Sequence, residues 1–288
     1  MLDENLKLFV IVESRIDEGD FKFNQFKDAL SDVKFDCEII SSNEINDVVK
    51  STLISNQFVD DYTMSMNILV PWYLITYKGA DKVLMLDDDV VLLPGFEKVF
   101  NFTNNAFYTH RLCAGQTNFE DESERRKKVY HEWFRLFDVE FSQEWWENVY
   151  LKQYINTGQW LISKDKFDIN RFEFFIKKFF NSSVIYEEDW KVGKTHISGY
   201  IDEIFVTLFF LNSEKDSLND ITTLYFGMKN ISKPSKNKVI IHYPASSHKY
   251  EVINWMIDNN IILGNKLEIV PLEKTKTGLK EIKITSLW

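Results

Sequence analysis

The sequence predicts an α/β fold in which a mixed, mainly parallel sheet is flanked by helices. Short apolar runs typical of buried strands alternate along the chain with longer segments in which apolar residues have helical spacing. Aromatic residues make up 15% of the 288 residues, while Gly and Pro number only 10 and 5, which is typical of a globular chain with a large core. We expect a single domain, residues 1–250, with a C-terminal helix and basic extension, residues 251–288, packed on it.

Each predicted strand is an apolar run bounded by polar or turn-forming residues. The most distinctive, 82–86, is apolar after its first residue and ends abruptly at three aspartates. In 154–162 the sequence Asn156-Thr157-Gly158 interrupts the apolar pattern. The predicted strands are 7–12, 37–40, 82–86, 106–110, 154–162 and 238–242.

The predicted helices have apolar residues three or four positions apart. Within 63–77, Pro71 has no backbone N–H to donate, so the helix is expected to begin or kink there. The segment 200–211 is almost entirely apolar, which predicts a buried helix that starts near an aspartate cap. The predicted helices are 21–30, 63–77, 122–137, 171–180, 200–211 and 250–259, with a short one at Trp145-Trp146.

The charge balance limits the classes of function. There are 34 Lys+Arg against 44 Asp+Glu, and the net charge of −10 argues against a generally basic nucleic-acid coat. Two lone cysteines, Cys37 and Cys113, favour a reducing compartment. The acidic first residues and the lack of an apolar stretch of about 18 residues argue against a signal peptide and a membrane anchor. We therefore expect a soluble cytoplasmic protein, in the host cytoplasm if it is viral.

The triplet Asp87-Asp88-Asp89 directly follows the predicted strand 82–86. Adjacent carboxylates repel each other, by about 4 kcal/mol at 4 Å and an effective dielectric constant near 20, so a cation is expected to compensate them. Asp87 and Asp89 are two residues apart in extended backbone and project to the same side, so they can share one ion. Hard oxygen ligands suit Mg²⁺ or Mn²⁺. The alternative is an exposed, hydrated acidic turn without a ligand.

Four segments, taken in order, give the chain a family resemblance. The strand and triplet at 82–92 resemble the DxD motif of GT-A glycosyltransferases, above all glycosyltransferase family 8, and 68–74 resembles the helix that precedes it. The segment 154–162 resembles that family's Asn-Ser-Gly strand, and 239–243 resembles its late strand with a metal-binding His. The resemblance spans residues 7–249 and implies a Rossmann-like GT-A fold and a nucleotide-sugar donor.

The resemblance also implies roles for individual residues. Asp87, Asp89 and His242 would hold Mn²⁺ or Mg²⁺, and the donor, a UDP-sugar in this family, would contact six residues. Without the resemblance, His242 is interpreted as a polar residue at the end of a strand. Asn156 and Gly158 are then interpreted as part of an ordinary turn or bulge that interrupts a strand. The donor residues are Val12, Asp88, Asn156, Gly158, His248 and Lys249.

Asp202 and Glu203 match the family's Asp-Gln pair on the reacting face of the sugar, with Glu203 in place of Gln. A carboxylate there could stabilise an oxocarbenium-like transition state, act as nucleophile or serve as a base. Alternatively, both acids only cap a helix. Glu187-Glu188-Asp189 is a second candidate acidic site, resembling the base-bearing loop of inverting enzymes, so retention and inversion both stay open.

Other positions depart from the family pattern. The first strand lacks the usual signature for the nucleotide base, Asn67 stands where an Arg is usual, and Lys249 is followed by Tyr250 instead of Pro-Trp. The uracil base is therefore implied by resemblance alone. The acceptor could be a glycan, a protein or a hydroxymethylated DNA base, since the C-terminal fifth and 125–128 are locally basic. The alternatives are an NDP-sugar nucleotidyltransferase, for which a glycine-rich phosphate loop is missing, and a non-catalytic sugar- or nucleic-acid-binding module.

Overall fold

The structure, a computed structural model, divides the chain into two compact units. One comprises Met1–Met85 and Thr103–Asn219, and the other comprises Leu86–Phe102 and Asp220–Trp288. The residues that it describes are 7–12, 36–53, 66–86, 90–93, 95–110, 127, 131, 134–135, 142–145, 147, 154–180, 201–211, 219–220, 225–227, 239–242, 257–258, 270–271 and 282–283.

Strands and helices alternate through most of the described chain. The strands are β1 (Lys7–Val12), β2 (Asp36–Ser41), β3 (Lys82–Leu86), β4 (Val90–Leu92), β5 (Ala106–His110), β6 (Tyr154–Ser163), β7 (Asn219–Asp220), β8 (Tyr225–Gly227), β9 (Ile240–His242), β10 (Val270–Pro271) and β11 (Ile282–Lys283). The α-helices are α1 (Ser42–Thr52), α2 (Met66–Tyr77), α3 (Gln143–Trp145), α4 (Ile169–Phe180) and α5 (Ile201–Leu211). Short 3₁₀-helices occupy Phe96–Asn101 and Lys164–Lys166.

The first unit contains a parallel pair, β1 and β2, and a sheet of order β3-β6-β5-β7. β5 and β6 are antiparallel. The backbone N–H of Lys164, just after β6, donates to the carbonyl of Asp81, just before β3, at 2.8 Å. This bond joins the end of β6 to the start of β3, so these neighbours also run antiparallel. The carboxyl ends of β3 and β5 and the amino end of β6 therefore share one edge of the sheet.

Side chains account for features of both α1 and α2. The Ser41 side chain accepts a hydrogen bond from the Asn43 N–H at 3.2 Å and so caps α1. α2 contains Pro71 in its interior, so the helix does not begin at Pro71, and the other predicted outcome, a kink there, stays a prediction. Its other side chains explain its stability, because Trp72 and Tyr73 are buried and Trp72 Nε1 donates to Glu173 Oε1 of α4 at 3.2 Å.

An aromatic cluster joins α4 and α5 to the end of β6. Phe209 of α5 lies 5.4 Å, between ring centroids, from both Phe172 and Phe175 of α4. Phe210 makes an edge contact with Trp160 of β6 at 6.3 Å. Arg171 closes the cluster: its guanidinium lies 4.6 Å from the Phe209 ring centroid and its Nη1 donates to the Phe209 carbonyl at 2.9 Å. Cation–π attraction and a satisfied carbonyl together hold the carboxyl end of α5 on α4.

A charged cluster ties β1, β2, α1 and α2 together on the surface of the first unit. Lys78 Nζ lies 2.8 Å from Glu38 and 3.2 Å from Glu44, and Lys7 Nζ lies 2.9 Å from Glu38. The Tyr73 hydroxyl donates to Glu44. The hydrogen bond from Lys78 lowers the pKa of Glu38, and the one from Tyr73 lowers the pKa of Glu44.

Lys78→Met is expected to destabilise the protein by about 1 kcal/mol at pH 7, because it removes the cation shared by Glu38 and Glu44. Both carboxyl pKa values are lowered in the folded state, so this stabilisation is complete above the ordinary value of 4.5 and is lost as the pH falls through the folded values. Urea unfolding at pH 7 and pH 3 measures this difference. The exposed Lys164→Met, tested in parallel, should change little at either pH. An equal loss for Lys78→Met at both pH values would contradict the assignment.

The second unit contains a sheet of order β4-β9-β8. β4 is antiparallel to β9, and β8 is parallel to it. The Leu93 N–H donates to the Val239 carbonyl at 2.8 Å and extends the ladder by one bond. Gly95 has φ 94°, a left-handed conformation that a side chain would strain, and it starts the 3₁₀-helix Phe96–Asn101.

The predicted element types are confirmed wherever the structure describes them. The described strand pairs include parallel and antiparallel ones, and β6 is antiparallel to each of its neighbours. The expectation of a mainly parallel sheet is therefore not met in the described residues. The architecture is mixed α/β. The predicted helix 21–30 and most of 122–137 and 250–259 lie outside the described residues. The division at residues 250 and 251 stays a prediction. Within the described segments no helix is long and apolar enough to cross a membrane.

Candidate functional site

The acidic triplet lies between two described strands. β3 ends at Leu86 and β4 begins at Val90, whereas Asp87, Asp88 and Asp89 lie outside the described residues. The same is true of two groups from the later part of the chain, namely His248 with Lys249 and the acids at 187–189.

His242 is the last residue of β9, the central strand of the second unit's small sheet. In the register with β4 it lies opposite Val90, and in the register with β8 it lies opposite Gly227. Val90 is the residue that directly follows the acidic triplet. The fold of this unit therefore brings the strand that carries His242 alongside the strand that the aspartates lead into.

Asn156 and Gly158 lie at a bulge of β6, Gly158 within it and Asn156 at its edge. Phe107 of β5 pairs with Trp160, but the next residue, Tyr108, pairs with Asn156. Three residues of β6, from Thr157 to Gln159, thus have no counterpart in β5. The interpretation of the Asn156-Thr157-Gly158 sequence as a bulge is confirmed, and bulges are frequent beside active sites because they redirect backbone groups.

Two hydrogen bonds hold the end of β6 beside the bulge. Asn105, fully buried just before β5, accepts from the Ser163 N–H through Oδ1 at 2.9 Å and donates through Nδ2 to the Lys166 carbonyl at 2.9 Å. Sequence reasoning did not identify Asn105, because an asparagine before a strand is usually a turn residue and nothing in the pattern predicts its burial.

Asp202 and Glu203 occupy the first turn of α5, and Phe205, two residues after Glu203, lies 5.6 Å between ring centroids from Phe172 of α4. Phe209 lies six residues after Glu203, about 9 Å along a helix axis. A catalytic role and a capping role both require these acids at the start of a helix, so their position agrees with either role. Val12 ends β1, opposite Ser41, at the carboxyl end of a parallel pair where ligands of α/β sheets usually bind.

The clearest pKa shifts lie away from these positions. They belong to Lys7, Glu38, Glu44, Tyr73 and Lys78 of the surface cluster, and to Cys37, whose thiol pKa burial raises. Among the side chains that the structure describes, no three from His, Cys, Asp and Glu come together as a metal site. The predicted metal ligands are not among those side chains, so their assignment stays a prediction.

Comparisons with known proteins give a distant structural likeness. No protein-family model matches the chain, and a search of curated proteins gives no match. Among solved structures, the apo crystal structure of mouse xyloside xylosyltransferase 1 matches 86% of this chain and 88% of its own, with 11% sequence identity and a TM-score of 0.47. The function of this chain therefore has to be argued from its own residues.

Proposed function

We propose that this protein is a metal-dependent glycosyltransferase that moves a sugar from a nucleotide-sugar donor, a UDP-sugar by resemblance, to an acceptor hydroxyl. The observation that carries the proposal is the register that sets Val90 opposite His242. A non-catalytic module has no need to pair a strand that ends in histidine with the strand that directly follows three aspartates in the sequence. The nucleotidyltransferase alternative has no structural observation in its favour.

Chain connectivity makes one metal site for Asp89 and His242 feasible. Opposed residues of an antiparallel pair have Cα atoms about 4.5 to 5.5 Å apart, and consecutive Cα atoms are about 3.8 Å apart. Asp89 is bonded directly to Val90, so connectivity allows its carboxylate and the His242 imidazole to share one ion. Asp87 completes a set of two carboxylates and one imidazole, which suits Mn²⁺ or Mg²⁺.

The chemistry of glycosyl transfer explains these residue types. When bound, the ion acts as a Lewis acid that neutralises charge on the departing nucleoside diphosphate. Asp87, Asp89 and His242 are proposed to hold it, and Asp88, His248 and Lys249 are proposed to contact the donor, the last two at its phosphates. These assignments follow the family resemblance.

The sugar is proposed to bind at the edge of the first unit's sheet where β6 begins. The bulge there leaves Gly158 without a pairing partner in β5, and Asn156 is proposed to bind a sugar hydroxyl through its amide. Asp202 and Glu203 are proposed to lie on the reacting face of the sugar and Val12 to contact the nucleoside. The wide bulge supports this proposal, because an uninterrupted strand would have no backbone groups to offer a ligand.

A donor screen tests the proposal. Melting temperatures are measured with UDP-, GDP-, CDP- and ADP-sugars, each with and without Mn²⁺, because a ligand that binds the folded state raises its stability. We expect one nucleotide to give a shift that requires the metal. The proposal is wrong if no donor gives a metal-dependent shift. Transfer assays with glycans and with hydroxymethylated DNA then identify the acceptor, and transfer to glycans alone would dismiss the DNA base.

Glu203→Gln is expected to leave the donor-induced melting shift unchanged and to lower turnover at least about tenfold, because the amide keeps the shape but loses the charge near the anomeric carbon. If Glu203 only caps α5, turnover should stay within about twofold of the wild type and only stability should fall. Steady-state rates at saturating donor, read beside melting curves, distinguish the two roles.

A further inference from the structure

Asn105 connects two segments that the strand ladder alone does not fix. Its Oδ1 accepts from the N–H of Ser163, the last residue of β6, and its Nδ2 donates to the carbonyl of Lys166, three residues later. Asn105 itself is completely buried and directly precedes β5. One side chain thus binds the start of β5 to the end of β6 and to the turn beyond it.

The β5–β6 ladder needs such a fixed point. Below the bulge Tyr108 pairs with Asn156, and above it Phe107 pairs with Trp160, so β6 holds three residues more than β5 between these pairs. If the upper register simply continued, Tyr108 would lie opposite Gln159 instead. Backbone hydrogen bonds between strands do not themselves determine which three residues of β6 are left unpaired. The bonds of Asn105 hold the end of β6 at the start of β5, so the three extra residues lie upstream of that end, and the pairing register shows them to be 157–159.

A second anchor acts on the other side of the same strand end. The Lys164 N–H donates to the Asp81 carbonyl beside β3, and Leu161 and Ile162 are fully buried. The end of β6 is therefore held on both flanks, and the irregularity is confined to its amino half. The Lys164–Asp81 bond joins two backbone groups, whereas the bonds of Asn105 come from its side chain and can be removed by a substitution.

We propose that Asn105 is a positioning residue for the sugar site: by clamping the end of β6 it fixes the β5–β6 register and thereby places the bulge that carries Asn156 and Gly158. This inference rests on the proposed function, since it assumes that the bulge contacts the donor sugar. Asn105 acts through the backbone of β6 and has no contact with substrate in this proposal.

The first test compares Asn105→Ala with Ser163→Ala. Asn105→Ala removes both hydrogen bonds, whereas Ser163→Ala keeps the backbone N–H that Asn105 accepts from and removes a buried hydroxyl that has no partner within the described part of the chain. We expect Asn105→Ala to lower the turnover number about tenfold at a temperature where the protein is fully folded, with the metal-dependent affinity for UDP unchanged. Ser163→Ala should match the wild type in both.

The second test uses Asn105→Asp and pH. The introduced carboxylate can still accept from Ser163 N–H but cannot donate to the Lys166 carbonyl, and burial raises its pKa. At high pH the variant should resemble Asn105→Ala. As the pH falls below the raised pKa, the neutral acid regains a donor, so the activity ratio of variant to wild type should rise. The ratio is measured at a temperature where both proteins are fully folded at every pH, because a loss of folded protein would follow the same titration. A ratio that stays constant across the titration would contradict the role of the Lys166 bond.

Backbone NMR keeps the register claim separate from the enzymatic one. In the wild type, nuclear Overhauser contacts should join Tyr108 to Asn156 across the strands; in Asn105→Ala these contacts should weaken or move to a new register. Unchanged contacts together with unchanged turnover would overturn the inference while leaving the glycosyltransferase proposal intact. If the wild type bound no donor, the proposed function and the role of the bulge in sugar binding would both be wrong. Changed Tyr108–Asn156 contacts in Asn105→Ala would in that case still show that Asn105 fixes the strand register.

Discussion

Asp89→Asn should abolish the metal-dependent melting shift with the donor and reduce turnover by a factor on the order of 10³. Asp89 is the aspartate bonded directly to Val90, the residue opposite His242. Metal activation is worth several kcal/mol of transition-state stabilisation, and each 1.36 kcal/mol is a factor of ten in rate. Titration with Mn²⁺ in the presence of the nucleoside diphosphate, followed by rate measurement at saturating metal, checks both effects.

The matched control for this variant is Glu97→Gln in the same unit. Glu97 is an exposed carboxylate in the first turn of the 3₁₀-helix Phe96–Asn101, so the substitution removes an equal charge at a position that does not lead into β4. It should leave metal binding and rate within about twofold of the wild type. His242→Gln should instead resemble Asp89→Asn. Equal behaviour of Asp89→Asn and Glu97→Gln would exclude Asp89 as a metal ligand.

The positions of the strands and helices follow from short-range patterns in the sequence. The apolar run before the triplet is β3, and the almost wholly apolar segment 200–211 contains α5, because burial on all sides needs apolar residues at every position. The sequence from Asn156 to Gly158 predicts an irregular strand, because polar and flexible residues interrupt an otherwise apolar run. These features depend on neighbours within a few residues of each other.

Strand pairing could not be predicted in the same way. An apolar run in a buried strand is compatible with parallel and antiparallel partners, and β6 proved antiparallel to both β3 and β5. The register that sets Val90 opposite His242 joins residues that are far apart in sequence, so no local pattern contains it. Asn105 is a further example, because its partners Ser163 and Lys166 are recognisable only once the sheet has formed.

Phe209→Ala should lower the free energy of unfolding by about 3 to 5 kcal/mol, the usual cost of removing a buried phenylalanine ring. The ring is 1% exposed, and its neighbours would be left facing a cavity. Arg171, whose guanidinium lies 4.6 Å from the Phe209 centroid and 4.9 Å from that of Phe175, would lose the first of these cation–π contacts while its bond to the backbone carbonyl persists. Denaturant unfolding and calorimetry measure the loss.

Phe174→Ala is the matched control, because it makes the same chemical change in α4 at a ring that is 51% exposed. Its cost should stay below about 1 kcal/mol, since most of that ring already contacts water and Lys178. A comparable loss for the two variants would show that the aromatic cluster is not what holds α5 on α4. If the large difference is found, packing of α5 on α4 holds the helix that carries Asp202 and Glu203, and Phe209→Ala should lose activity at lower temperatures than Phe174→Ala.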